Sequence, residues 1–101
     1  MSFIQPIPRD VILGGQLCGP CEEIFKHVAR ELHLVDGQVP PSLDKIARLI
    51  DQEAAKTCPN YGVLSSQCIS YIDASDHELA KQIVKIHISS HEACKRANLC
   101  S

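Results

Sequence analysis

The chain contains no tryptophan, and its 101 residues include only two phenylalanines and two tyrosines. A core built on large rings is therefore excluded, and the interior has to come from Ile, Leu, Val and Ala. No apolar run approaches the roughly 20 residues that a membrane-crossing helix requires. Pro6, Pro8, Arg9 and Asp10 interrupt the stretch from Met1 to Leu17, where a signal peptide would need an unbroken apolar segment. If the chain is secreted, it is then expected to be a processed form. Charge of one sign is not in excess either: ten basic and twelve acidic residues leave a formal charge of -2. Without a basic stripe, nucleic acid is not an expected partner. Strand-like alternation, internal repeats and low-complexity tracts are missing, which argues for an all-α fold. No nucleophile with a base and an orienting group stands out. No catalytic residue is assigned, no cofactor is implied, and the chain is not expected to be an enzyme.

Cysteine, by contrast, is plentiful. Six cysteines stand in a chain long enough for one domain with a modest core, where cross-links supplement what burial provides. Cys18-Gly19-Pro20-Cys21 opens a helical run, and taken alone such a pair can be a redox centre, half of a zinc site or one end of a disulfide clamp. Zinc requires four convergent ligands, and no second Cys-x-x-Cys or Cys-x-x-His follows, so no metal site is assigned. A thioredoxin-like oxidoreductase acting through Cys18 and Cys21 would need a strand ahead of the motif, where Gly14-Gly15-Gln16-Leu17 stands instead. An even cysteine count points to an oxidising compartment.

Residues 1–16 are expected to be an extended N-terminal arm, because Pro6 and Pro8 block a helix and Gly14-Gly15 separates the arm from residues 17–101. From Leu17 the spacing is helical as far as Leu34, with Leu17, Cys21, Ile24, Phe25, Val28 and Leu32 on one face. On the other face Glu22 and Lys26, and Glu23 and His27, are i,i+4 pairs. Asp36-Gly37 is expected to stop this helix, and Pro40-Pro41 to prevent its resumption. Ser42 is the expected N-cap of a second helix with the stripe Leu43, Ile46, Ala47, Ile50 and Ala54, ending near Cys58-Pro59. Asn60-Tyr61-Gly62 opens a third, whose inward set is Tyr61, Leu64, Cys68 and Ile72, with Val63 and Ile69 off that face. Ser75-Asp76-His77-Glu78 has the spacing of a capping box. The helix it starts carries Leu79, Ile83 and Ile86 inward, while Val84 and Ile88 point elsewhere, towards the arm or towards a lipid or dimer surface. Residues 91–100 supply a last short helix.

Six cysteines allow fifteen pairings, and this layout favours few of them. Cys58 and Cys68 flank one helical corner. If the last helix runs antiparallel beside the first, Cys18 meets Cys100 and Cys21 meets Cys94.

The order Cys18-Gly19-Pro20-Cys21-Glu22-Glu23-Ile24-Phe25, then Cys58, then Cys68-Ile69-Ser70-Tyr71-Ile72, then Cys94-Lys95-Arg96-Ala97-Asn98-Leu99-Cys100 resembles the saposin-like family, or saposin B-type domains. The resemblance spans Leu17 to Cys100. It implies a five-helix leaf for residues 17–101, with the pairing Cys18–Cys100, Cys21–Cys94 and Cys58–Cys68. It also implies work at a phospholipid membrane or on an acyl lipid, by perturbing the membrane, extracting lipid, carrying it, or activating a lipid hydrolase, with a homodimer as an allowed partner. The compartment implied is secreted, or a lysosomal or granule lumen. The expected lipid-binding set is Ile24, Phe25, Val28, Ile46, Ile50, Leu64, Ile72, Leu79, Ile83 and Ile86. The chain departs from the family in lacking an Asn-x-Ser/Thr sequon and in its slightly acidic charge, which argues against attack on anionic membranes at neutral pH. Charging all five histidines moves the formal sum from -2 to +3. His27, His33, His77, His87 and His91 are therefore read as a pH switch that operates as unperturbed imidazoles titrate, near ~6.5.

Overall fold

The computed structural model describes residues 16–33, 37, 39–85 and 87–100. The arm up to Gly15, the segment Leu34–Asp36 where the first helix was expected to end, and Ile86 lie outside the described residues. The described residues contain helices, turns and irregular chain but no strand.

Helix α1 spans Cys18–Leu32 and buries Pro20, Cys21, Ile24, Phe25 and Val28. It ends earlier than the apolar pattern suggests. His33 adopts the left-handed conformation (φ 49°) and its N–H returns to the carbonyl of Ala29, which closes the last turn before Leu34 is reached. Helix α2 spans Leu43–Thr57, and the Oγ of Ser42 accepts from the N–H of Lys45 at 3.2 Å, so Ser42 caps it as its sequence position implies. Ile46, Ala47, Ile50 and Ala54 are buried along α2, whereas Leu43, on its first turn, is exposed.

A 3-10 segment, Cys58–Leu64, follows directly. Gly62 sits at φ 60° and ψ -121°, outside the helical region, and this break prevents Asn60-Tyr61-Gly62 from opening the next helix. Helix α3, Ser65–Ala74, starts only afterwards and buries Cys68 and Ile72, leaving Tyr61 and Leu64 half-buried. Helix α4, Asp76–Ile83, is separated from α3 by Ser75 alone. The capping box expected here does not form. Ser75 is at φ -108°, ψ 6° rather than extended, and its N–H still bonds back into α3, so its side chain makes no cap. Glu78 instead accepts from Gln82. Val84 and Ile88, past the end of α4, are half-buried against the core. Helix α5, Ser90–Arg96, is capped by Ser89, whose Oγ accepts from the N–H of Glu92 at 3.0 Å.

Helix α2 is the central element, packed on α1, α3 and α4, while α5 packs on α1. Three disulfides complete the frame: Cys18–Cys100, Cys21–Cys94 and Cys58–Cys68, with no free cysteine. They fit an oxidising, secreted-type compartment. Among the described residues no helix is long and apolar enough to cross a membrane. Cys18 and Cys21 bond to Cys100 and Cys94 and not to each other, so the Cys-x-x-Cys motif serves as two clamp points.

Candidate functional site

The apolar side chains that the helical spacing turns inward converge on one interior. Ile24, Val28, Ile46, Ile50 and Ile72 are fully buried, and Phe25, Leu79 and Ile83 are nearly so; with the cysteines they form one cluster that takes in the buried face of α2. Of the ten expected lipid-contacting residues, eight meet in this cluster, Leu64 is half-buried, and Ile86 lies outside the described residues. These eight face protein and not solvent.

The disulfides are distributed unevenly around that interior. Two tie α5 and the C-terminal turn to the head of α1, and the third ties the end of α2 to α3. No disulfide joins the α1/α5 half to the α2/α3 half. Among the described residues, apolar packing and polar contacts join them. Tyr61 donates its hydroxyl to Glu23 Oε1 at 2.8 Å, linking the 3-10 segment to α1. His27 Nδ1 lies 2.8 Å from Glu53 Oε2, linking α1 to α2, and Thr57 donates to the same oxygen. The His27 hydrogen bond is the main cause that holds the Glu53 carboxyl below its ordinary range, against the opposing effect of burial and with help from Thr57. A depressed carboxylate contributes stability above its unfolded value that is lost only as pH falls through the lower folded value, so this clasp persists at pH 5.

The histidines do not share one environment. His77 lies between two carboxylates, Nε2 at 2.9 Å from Asp44 Oδ1 and Nδ1 at 2.8 Å from Asp76 Oδ1. A neutral ring has a single N–H, so only the protonated ring satisfies both partners. The hydrogen bond to Asp44 first, then that to Asp76, lifts its pKa above the ordinary histidine value. His91 lies 2.8 Å from Glu22 and joins α5 to α1. His33 caps α1, and His87 is exposed between α4 and α5. Thus His27, His77 and His91 each reach a carboxylate on another helix, and charge gained there falls beside an acid.

A cleft of about 310 Å³ beside His77 is lined by Asp44, Ala47, Arg48, Asp51 and Asp76. Asp51 Oδ1 is buried there without a hydrogen-bond partner. Burial first, then hydrogen bonds with the neighbouring Asp76 and Asp73 carboxyls, pushes the Asp51 carboxyl up to about 8. A raised carboxyl favours the fold fully below its unfolded value, and this support is lost as pH rises through the folded one. Between roughly pH 4 and 8 the α2–α4 junction therefore loosens as protons leave, and His77 acts in the same direction near neutrality. Asp51→Asn, which needs no proton to donate to Asp73 and Asp76, is expected to raise stability by about 1–2 kcal/mol at pH 8. At pH 4 it is expected to do nothing. Thermal melts of both proteins at the two pH values check this, and an equal difference at both would dismiss the protonated carboxyl. Asp51 falls on the same helical face as Ala47 and Ala54, an acid within an apolar stripe, and that was the available sequence signal.

The exposed apolar residues are a second feature, and the helical spacing already sets two of them off the inward face. Val63 is 93% exposed and Ile69 37% exposed, at the 3-10 segment and on α3, the two positions that fall off the inward stripe. Val39 is 87% exposed ahead of α2.

No family model, no curated protein and no solved structure matches the chain.

Proposed function

We propose that this protein is a saposin-like leaf of five helices that binds anionic phospholipid membranes, favoured by acidic pH, and perturbs them or extracts their lipids without chemistry of its own. The observation that carries this reading is the placement of the bridges. Each lies within one half, so the halves are free to part at the helix breaks near His33 and Ser75 while the ends of their helices stay pinned. Parting exposes Ile24, Phe25, Val28, Ile46, Ile50, Ile72, Leu79 and Ile83. At ~25 cal/mol per Å² of apolar area, a few hundred Å² passed to acyl chains yields several kcal/mol, enough to offset a core of this size.

Acid acts on the approach. Each positive charge at an anionic surface is worth about 1 kcal/mol, and charging the histidines reverses the sign of the chain. The polar contacts around His77, Asp51 and Glu53 keep the domain shut at pH 5, so it arrives closed and opens where lipid replaces its core. Val63, beside the Gly62 break, is the apolar side chain best placed to touch the bilayer first.

Vesicle binding and leakage at pH 7.4 and pH 5, with and without anionic lipid, test the reading. Binding is expected to be strongest at pH 5 with anionic lipid. Val63→Asp is expected to weaken it about tenfold, the equivalent of losing one buried valine, without changing the melting temperature. Equal weak binding under all four conditions would remove the membrane reading, whereas extraction of lipid without leakage would place the protein among carriers or hydrolase activators.

A further inference from the structure

The head of α1 carries a second arrangement that the lipid reading does not use. Cys18, Glu22, His91 and Cys100 come from both ends of the chain, and their donor atoms all lie within 4.8 Å of one another. Glu22 Oε2 stands 3.4 Å from Cys18 Sγ and 3.8 Å from Cys100 Sγ, and His91 Nδ1 stands 3.9 Å from Cys18 Sγ. These sulfurs are bonded to each other and carry no proton, so the approaches are not hydrogen bonds. The carboxylate and the imidazole are instead held over a disulfide.

The distances match a particular geometry. With Zn–S near 2.3 Å and Zn–O or Zn–N near 2.0 Å, the edges of a tetrahedral site between sulfur and a nitrogen or oxygen donor are roughly 3.5 Å. The two sulfur-to-Glu22 separations and the Cys18-to-His91 separation fall within a few tenths of that value. The change required is for the two sulfurs to part to roughly 3.7 Å, which breaking their bond permits, and for the Glu22–His91 pair to open slightly.

Two further features favour it. The Cys18 side of this bond is half-buried, whereas Cys21, Cys94, Cys58 and Cys68 are fully buried, so a reductant in solvent meets Cys18–Cys100 first. Cys21–Cys94 is nested just inside it and remains closed, keeping α5 on α1 and the four donors together after the outer bond opens.

We propose that a dithiol reductant opens Cys18–Cys100 selectively and that the two freed sulfurs, with His91 Nδ1 and Glu22 Oε2, then bind one Zn2+ ion. In the first step the dithiol supplies two electrons and two protons, becomes a cyclic disulfide, and leaves Cys18 and Cys100 as thiols. In the second, Zn2+ replaces the two thiol protons, which pass to the buffer, while the imidazole and carboxylate each give a lone pair. The closed disulfide, whose sulfurs are occupied with each other, binds no zinc at this position. The domain thus exchanges a covalent clamp for a coordinate one when its surroundings turn reducing, and this proposal stands independently of the lipid reading.

The experiment uses the full chain under anaerobic conditions. Limited dithiothreitol treatment is followed by removal of the reductant and addition of zinc chloride. Native mass spectrometry is expected to find one Zn2+ per chain in the singly reduced form and none in the oxidised form. Zinc is expected to protect Cys18 and Cys100, and no other cysteines, from iodoacetamide. Cobalt chloride in its place is expected to give the d–d bands of a tetrahedral thiolate site. His91→Ala and Glu22→Gln are each expected to weaken zinc at least tenfold in competition with a chromogenic chelator. The proposal is overturned if the singly reduced chain takes up no zinc, if neither substitution alters the affinity, if all three bridges open together, or if opening the outer bridge abolishes the helical circular dichroism.

Discussion

Replacing both Cys58 and Cys68 by alanine is expected to lower the unfolding free energy by about 3 kcal/mol, the chain-entropy value for a loop of this length, and the melting temperature by at least ~10 °C. The two residues are ten apart in sequence and fully buried, so the lost closure of the unfolded chain is accompanied by the loss of two sulfurs from the core. No other covalent link stands at this end. At the opposite end the result differs, because Cys18–Cys100 and Cys21–Cys94 are nested. The first of them to close joins the two ends of the chain and is worth ~4 kcal/mol, and the second adds much less because it closes only a small extra ring. Replacing Cys18 and Cys100 together should therefore cost less than replacing Cys58 and Cys68, although it opens a far longer loop. Thermal unfolding of the two double variants under non-reducing conditions provides the comparison, and the reverse order would show that closure of the unfolded chain is not what the bridges supply.

Ile50→Ala is expected to cost about 3 kcal/mol in stability, in the range for emptying a fully buried isoleucine site, and yet to raise the rate of vesicle leakage at pH 5. The two effects follow from one asymmetry. In the closed domain Ile50 lies on α2, the helix packed on α1, α3 and α4, and a rigid interior collapses only partly around the missing atoms. Against fluid acyl chains the same deletion forfeits only its transfer free energy, because lipid flows into the space. The substitution therefore penalises the closed form more than the lipid-bound form and shifts the balance towards opening. Stopped-flow leakage on anionic vesicles, read beside denaturant unfolding, checks both signs. Leakage that falls in step with stability would mean that the interior is never lent to lipid.

Much of the architecture is legible in the sequence because short-range physics decides it. The apolar steps Ile46, Ala47, Ile50 and Ala54 define the buried face of α2, and Ser42 lies one residue before that helix, where a hydroxyl can reach the N–H of Lys45. The spacing of Tyr61, Leu64, Cys68 and Ile72 correctly leaves Val63 and Ile69 outside. The misreadings occur where one pattern permits two backbones. Ser75 and Glu78 have the spacing of a capping box, but the chain passes from α3 into α4 with so slight a break that Ser75 never becomes extended. The α1 pattern continues to Leu34, but a left-handed residue at His33 ends the helix on backbone grounds that apolar periodicity does not register.

The polar contacts were the least legible. Glu23 and His27 are neighbours along α1, and their spacing suggests that they pair with each other. In the fold Glu23 receives Tyr61, 38 residues away, and His27 reaches Glu53, 26 residues away. Glu22, read as a partner of Lys26, lies against His91. The same limit applies to the donors over Cys18–Cys100. Zinc motifs are sought as tight local spacings, whereas these four residues are brought together by packing and by the bridges themselves.

The nesting of Cys18–Cys100 and Cys21–Cys94 has a topological consequence for proteolysis. A single cut anywhere between Cys21 and Cys94 leaves the two fragments joined by both bonds, so the connection between α1 and α2 can be nicked without releasing a peptide. A nicked molecule is heavier by one water and separates into fragments only when it is reduced. Its halves, no longer tethered by backbone at that point, would swing apart more freely than those of the intact chain.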